Sequence, residues 1–206
     1  MQNFKSNKQA KGFSLLELML VLAAIVVLGA IVFQQYNKFR IGQQATEEAQ
    51  NLASAATGVK ALYTRGDYTS LNADVAAKAK FFPDGMVNAT GTGITNQWNG
   101  AVTLGSVTNA NAVANAASVI TPGTGGPTAG TSNRFFGITY NGVPSETCIK
   151  LAGAANATFD KITIGTSLVK NTVPGATTQT LLNEAAVATA CGNNTPGGVV
   201  MSFVTN

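Results

Sequence analysis

The sequence predicts an α+β fold: one long N-terminal α-helix, apolar all round in its first half, its second half packed on a globular head built on an antiparallel β-sheet. Three observations predict it. Residues 18–37 contain no charge, and residues 18–33 are unbroken apolar or glycine. Apolar residues then continue at helical spacing as far as Tyr63. Further along, short segments alternate apolar and polar residues with the period of a strand.

The first half of the helix sets the frame. At about 1.5 Å of rise per residue, the uncharged run is roughly 30 Å long, the thickness of one bilayer core. It must be buried by lipid or by other copies. One carboxylate, Glu17, stands just inside the apolar run that opens at Ser14, and Lys5, Lys8 and Lys11 precede it with no acid among them. A charge at membrane depth costs roughly 3 kcal/mol unless it lies near the interface or finds a partner. Ser14 and Glu17 also have the spacing of a capping box, which is the purely structural reading of the acid.

The second half is amphipathic. Ile41, Ala45, Ala49, Leu52, Ala56, Val59 and Tyr63 follow one another at steps of three or four, which draws one stripe along a helix. Gln43, Glu47, Gln50, Ser54 and Thr57 fall on the opposite face. One helix is therefore expected over residues 13–65, nearly 80 Å long at the standard rise. No proline precedes Pro83, which leaves Gly29 and Gly42 as its soft points. Gly66-Asp67 supplies the stop.

The head follows. Residues 68–95 read as a connection with a short helix over 74–80, halted by Phe81-Phe82-Pro83. Strands are expected around 101–107, 134–140, 159–164 and 199–204. Phe136, Ile138 and Tyr140 alternate, as do Ile162 with Ile164, and Val199, Met201 and Phe203. Two helices are expected near 145–151 and 180–190, each at a cysteine. Residues 109–132, rich in Ala, Asn, Thr, Gly and Pro, read as an exposed loop. Its glycines form no phosphate cradle, because no Gly-Lys-Ser/Thr follows.

Composition narrows the function. The net charge of +4 comes largely from the start of the chain. Three of the 13 basic residues and none of the nine acids precede Gly12, leaving ten against nine, or +1. That is a weak footprint for a nucleic-acid partner, and none is expected. The chain has no histidine, which removes Ser-His-Asp and Cys-His catalysis and histidine metal sites. No catalytic residue, metal or cofactor is expected, and an enzyme is disfavoured. Asp67, Asp74 and Asp84 are spaced too loosely for a calcium loop. A secretory signal would be cut after its apolar core near small residues; no such site follows Ala30 here. A plain signal anchor fits better but leaves Glu17 unexplained.

Lys11-Gly12-Phe13-Ser14-Leu15-Leu16-Glu17 resembles the prepilin cleavage and assembly motif of type IV pilins and pseudopilins. The resemblance implies a cut by the prepilin peptidase between Gly12 and Phe13, with N-methylation of Phe13. Glu17 then becomes the fifth residue of the mature chain and its assembly residue. The likeness continues through residues 63–86, with Asp67-Tyr68 and Phe82-Pro83-Asp84-Gly85-Met86. It extends through Val143-Pro144-Ser145-Glu146-Thr147-Cys148-Ile149-Lys150-Leu151, and from Ala190-Cys191-Gly192 to Phe203. These segments are similar to type IVb pilins, including conjugative thin-pilus and toxin-coregulated-type pilins. The 12-residue leader lies between the short and long leaders of the two pilin classes, and Phe13 is typical of the short-leader class.

The resemblance implies four regions: a removed leader (1–12), a membrane or filament-core half-helix (13–37), an amphipathic half-helix (38–65) and a globular head (66–206). It places the precursor in the bacterial inner membrane and the product in an extracellular pilus. The partners it implies are other copies of the chain, the peptidase, the assembly machinery and, before assembly, the membrane. In such a compartment the two cysteines, Cys148 and Cys191, read as one disulfide bounding the C-terminal region; two buried thiols are the alternative. The rival functions are a minor pilin, a type II secretion pseudopilin, and a membrane-anchored adhesin that never polymerises.

Overall fold

The computed structural model describes residues 14–114, 120, 122, 133–192 and 197–206. The chain divides into two compact units, residues 1–40 and 41–206.

In the first unit the described residues are almost wholly helical. They belong to α1 (Leu15–Leu62), which runs through Gly29 and Gly42 without a break in its helical assignment. None of the apolar window of this helix, with a mean hydropathy of 2.9, is buried.

The second unit holds the rest of α1 and every other element. The α1 residues Ala45, Leu52, Ala55, Ala56 and Val59 are buried, following the apolar stripe. Gln43, Glu47, Gln50, Ser54 and Thr57 are exposed, as the pattern requires. Gly58 belongs to the same packing: a Cβ there would lie 2.7 Å from Phe81 Cδ1, so the ring rests on the helix backbone. The helix stops at Leu62, three residues short of the expected end. Gly66, with φ +67°, turns the chain and donates its N–H to Tyr63 O at 2.8 Å.

After α1 come α2 (Ala73–Lys78), a 3₁₀ turn (Asp84–Met86), β1 (Ile94–Thr95), β2 (Ala101–Val107), α3 (Asn109–Val113) and β3 (Phe135–Val143). Then follow α4 (Ser145–Ala155), β4 (Lys161–Ile164), β5 (Ser167–Asn171), α5 (Glu184–Gly192) and β6 (Val199–Thr205). Asn72 caps α2, its side chain accepting from Val75 N at 2.8 Å. The six strands form one antiparallel sheet in the order β1-β2-β3-β6-β4-β5.

The register builds the core in rows. Leu104 faces Ile138, Ile138 faces Phe203, and Phe203 faces Ile162. Val102, Tyr140, Met201 and Ile164 make the next row. These rows share one cluster with Leu52, Ala55, Ala56 and Val59 of α1, Leu151 and Ala152 of α4, and Val187 of α5. Edge contacts between rings, such as Tyr140 with Phe203 at 6.2 Å, fill the space between rows. A smaller cluster of Val107, Ala112, Phe135, Val173 and Val204 is joined by Ile120. Residues 109–132 are thus not all exposed loop. They open with α3, and Ile120 lies over Gly137; the other residues of that segment beyond 114, except 122, fall outside the described residues.

Other departures from expectation are local. The strand expected from 159 begins at Lys161, β3 continues to Val143, and α4 continues to Ala155. The helix expected over 180–190 begins at Glu184, because Thr180 instead pairs with Asn171 in a two-hydrogen-bond bridge. Asn183 then caps α5, its Oδ1 accepting from Ala186 N at 3.1 Å.

Candidate functional site

Glu17 lies in the first turn of α1. It is a carboxylate among large apolar side chains that stay exposed among the described residues. From Leu15 to Phe39 the large hydrophobic residues of this helix keep between 45% (Val21) and 76% (Leu15) of their surface. Soluble folds do not leave a continuous apolar surface of this extent bare. A helix apolar on every face is made to be surrounded, by lipid or by like helices. An acid in its first turn is favourably placed against the helix dipole, and it becomes costly once water leaves. Gly12 and Phe13, the expected cleavage and methylation residues, lie outside the described residues.

The two cysteines are brought together. Cys148 in α4 and Cys191 in α5 form a disulfide, with S–S 1.98 Å and Cα–Cα 5.8 Å, and both residues are fully buried. The bridge ties two helices that share the inner face of the sheet, so the free-thiol alternative falls.

The carboxylates weighed for calcium are engaged separately. Asp67 Oδ1 accepts from Thr69 N and Thr69 Oγ1, and these bonds hold its carboxyl below the usual range. Asp74 pairs with Lys78 at 2.8 Å and Asp84 with Lys80 at 3.6 Å. Among the described residues no cluster of three metal-ligating side chains is present.

Three buried charges escaped the sequence reading. Glu48, on the packed face of α1, is fully buried, and its Oε1 accepts from Gln97 N at 2.8 Å. Desolvation pushes its carboxyl above the ordinary glutamate value. Lys161 is also fully buried and donates to the carbonyls of Asn111 (2.8 Å), Ala112 (3.3 Å) and Ala114 (2.7 Å). It thereby closes the C-terminal end of α3, where a cation complements the exposed carbonyls. Burial lowers its ammonium to about 8. Lys170 does the same for α4, donating to Asn156 O (2.5 Å) and Phe159 O (2.6 Å). The stripe itself pointed to position 48, which lies between Ala45 and Leu52 at helical spacing; the residue type hid it.

Comparison with known proteins fits this architecture. The family profile described as Bundlin matches residues 41–203, and the prokaryotic N-terminal methylation motif matches residues 7–33. The chain is 33% identical over 78 residues to the type IV major pilin protein PilA of Myxococcus xanthus (strain DK1622). That alignment covers 38% of this chain and spans about a third (34%) of the relative's length. Among solved structures, a type IV b pilin from Salmonella typhi superposes with a TM-score of 0.50 at 17% identity, over 77% of this chain and 97% of that one. TcpA, a type IV pilin from Vibrio cholerae El Tor biotype, gives a TM-score of 0.49 at 20% identity, over 80% and 99%. A bare apolar half-helix, an amphipathic continuation built into an antiparallel head, and a disulfide near the C-terminus are thus joined by a profile match across most of the chain: the protein belongs to the Bundlin family of type IV pilins.

Proposed function

We propose that this chain is the subunit of a type IVb-like pilus, cut between Gly12 and Phe13 by the prepilin peptidase, methylated on Phe13, and polymerised through α1. The observation that carries the reading is the bare apolar half of α1 with a single acid in its first turn. In the precursor, residues 13–37 span the inner membrane. In the filament they pack against the same segment of other copies, while residues 38–65 remain part of the head formed with residues 66–206.

Glu17 supplies register. Cleavage creates a cationic amine on Phe13, and N-methylation leaves it able to carry charge. In a stack of parallel helices the amine of an incoming copy meets Glu17 of one already placed. The attraction grows as water leaves, because the effective dielectric falls. Apolar area holds the polymer together, and the ion pair sets the alignment. A lone buried carboxylate would oppose assembly, so the pair also works as a filter against misaligned copies.

That the Myxococcus relative is a type IV major pilin supports the major-subunit role over a minor pilin or pseudopilin. The partners are other copies of the chain, the peptidase and the inner-membrane assembly machinery. The finished filament lies outside the cell, where it serves adhesion, aggregation, motility or conjugative contact. Glu17→Ala tests this directly. The variant should accumulate in the membrane while sheared fractions, viewed by negative-stain microscopy, lack filaments. Normal filaments from Glu17→Ala would remove Glu17 from the assembly step.

A further inference from the structure

We propose that the recess beside Trp98 receives the distal end of α1 from another copy of this chain, with Leu62 entering the recess and Arg65 pairing with Glu146. The proposal rests on the filament reading above and adds to it the contact made between heads.

The recess measures about 610 Å³. Ile41 and Gln44 of α1 form one wall, Trp98 of the β1–β2 turn a second, and Pro144 with Glu146 of α4 a third. Its apolar residues Ile41, Trp98 and Pro144 all stay partly open to solvent. The walls are braced. Asn96 Oδ1 accepts from Trp98 N at 3.0 Å and from Gly100 N at 2.8 Å, which holds the turn that carries the tryptophan. Thr147 and Cys148 donate their N–H groups to Pro144 O, and the Cys148–Cys191 bridge anchors the start of α4. Glu146 is the charged residue of the lining. A recess with apolar walls and one acid on its rim is matched by an apolar knob that brings a cation.

The chain carries such a knob at the other end of its head. Residues 41–62 of α1 extend about 30 Å at the standard rise. At their far end Leu62 keeps 54% of its surface bare. Arg65, three residues on, is exposed. Neither Arg65 nor Glu146 makes an ion pair or a side-chain hydrogen bond among the described residues. Asp67, close to Arg65, has its own counterpart: Lys150, one turn on from Glu146, lies with its Nζ 3.2 Å from where a Cβ on Gly42 would be. Each end of the head therefore offers one acid and one base beside an apolar feature, and an apolar ligand without charge would leave Glu146 unmatched.

Knob and recess lie on different surfaces, so the contact runs head to tail. Contacts of that kind between like copies propagate into open filaments unless their rotation closes a ring. A step along α1 leaves every copy pointing the same way, the parallel order that the amine–Glu17 pair also requires. The recess begins at Ile41, and the segment that directly precedes it in the chain is the one the polymer buries.

The test uses filaments sheared from cells that make the full chain, with Gln44→Cys and Leu62→Cys combined. Within one copy these positions are about 27 Å apart along α1, far beyond disulfide reach, so a new bridge must join two copies. After mild oxidation and unfolding in detergent, a ladder of trimers and longer species is expected. Either variant alone should give nothing beyond dimers. From the combined variant, dimers alone or no bridge overturns the contact. Filaments without the ladder remove only this contact, whereas absence of filaments from wild type removes the polymer itself. Charge reversal tests the pair. Glu146→Arg sets two cations together and should strip most filaments from the sheared fraction, and adding Arg65→Glu should restore them. Filaments that withstand Glu146→Arg, or that Arg65→Glu does not restore, overturn the pair. If Glu146→Arg fails to accumulate in the membrane, the cysteine ladder decides by itself.

Discussion

Removing the disulfide by replacing both Cys148 and Cys191 with alanine should lower the stability of the head by about 4 kcal/mol. The magnitude comes from the sequence separation of 43 residues. In the chain-entropy model, closing a loop of that length removes roughly 13 cal/mol/K from the unfolded ensemble, or about 4 kcal/mol at room temperature. Both residues are fully buried, so lost sulfur packing adds to the cost; serine replacements would bury unpaired hydroxyls and confuse the result. The loop contains most of α4, all of β4 and β5, and nearly all of α5. A domain of this kind is stable by roughly 5–15 kcal/mol in total, so the effect should dominate its unfolding. The assay is urea denaturation of the full chain in micelles, followed by tryptophan fluorescence of Trp98 and by circular dichroism. Reduced wild type provides the independent comparison, because it keeps both sulfurs. Hydrogen exchange should show α5 and β5 losing protection first. A loss below about 1 kcal/mol in both the variant and the reduced wild type would refute the reasoning, since it would mean that the unfolded chain gains little freedom when the bridge is absent.

Two further outcomes are expected. Leu52→Ala should cost about 2–5 kcal/mol, because Leu52 is fully buried between α1 and the sheet; a solvent-facing change such as Gln50→Ala should cost less than about 0.5 kcal/mol by the same urea titration. Lys161→Met should cost about 1–3 kcal/mol by leaving the carbonyls of Asn111, Ala112 and Ala114 without their donor, and amides of α3 should exchange faster while those of α1 stay protected.

What the sequence made legible was whatever one period could carry. The stripe of α1 predicted its packed face, and alternation predicted β6 to within a residue. The rest depended on partners far along the chain. β5 was missed because Lys170 and Asn171 sit inside it as buried polar residues, and the carbonyls that receive Lys170 belong to residues 156 and 159. α3 lies in a stretch whose composition reads as loop, and its C-terminal carbonyls are received by Lys161 about 50 residues away. Glu48 was hidden for the opposite reason: its position on the helix was right for burial and its charge argued against it. The start of α5 was in principle readable, since Asn183 followed by Glu184 is an N-cap signal. At the N-terminal end, the motif around Glu17 was plain in the sequence because it is contiguous.

The most direct measurement is the mass and N-terminal sequence of the protein in sheared surface filaments. The account predicts a chain that begins at N-methylated Phe13, with residues 1–12 absent. Filaments built from chains that still begin at Met1 would contradict it, because no freed amine would then be available to meet Glu17.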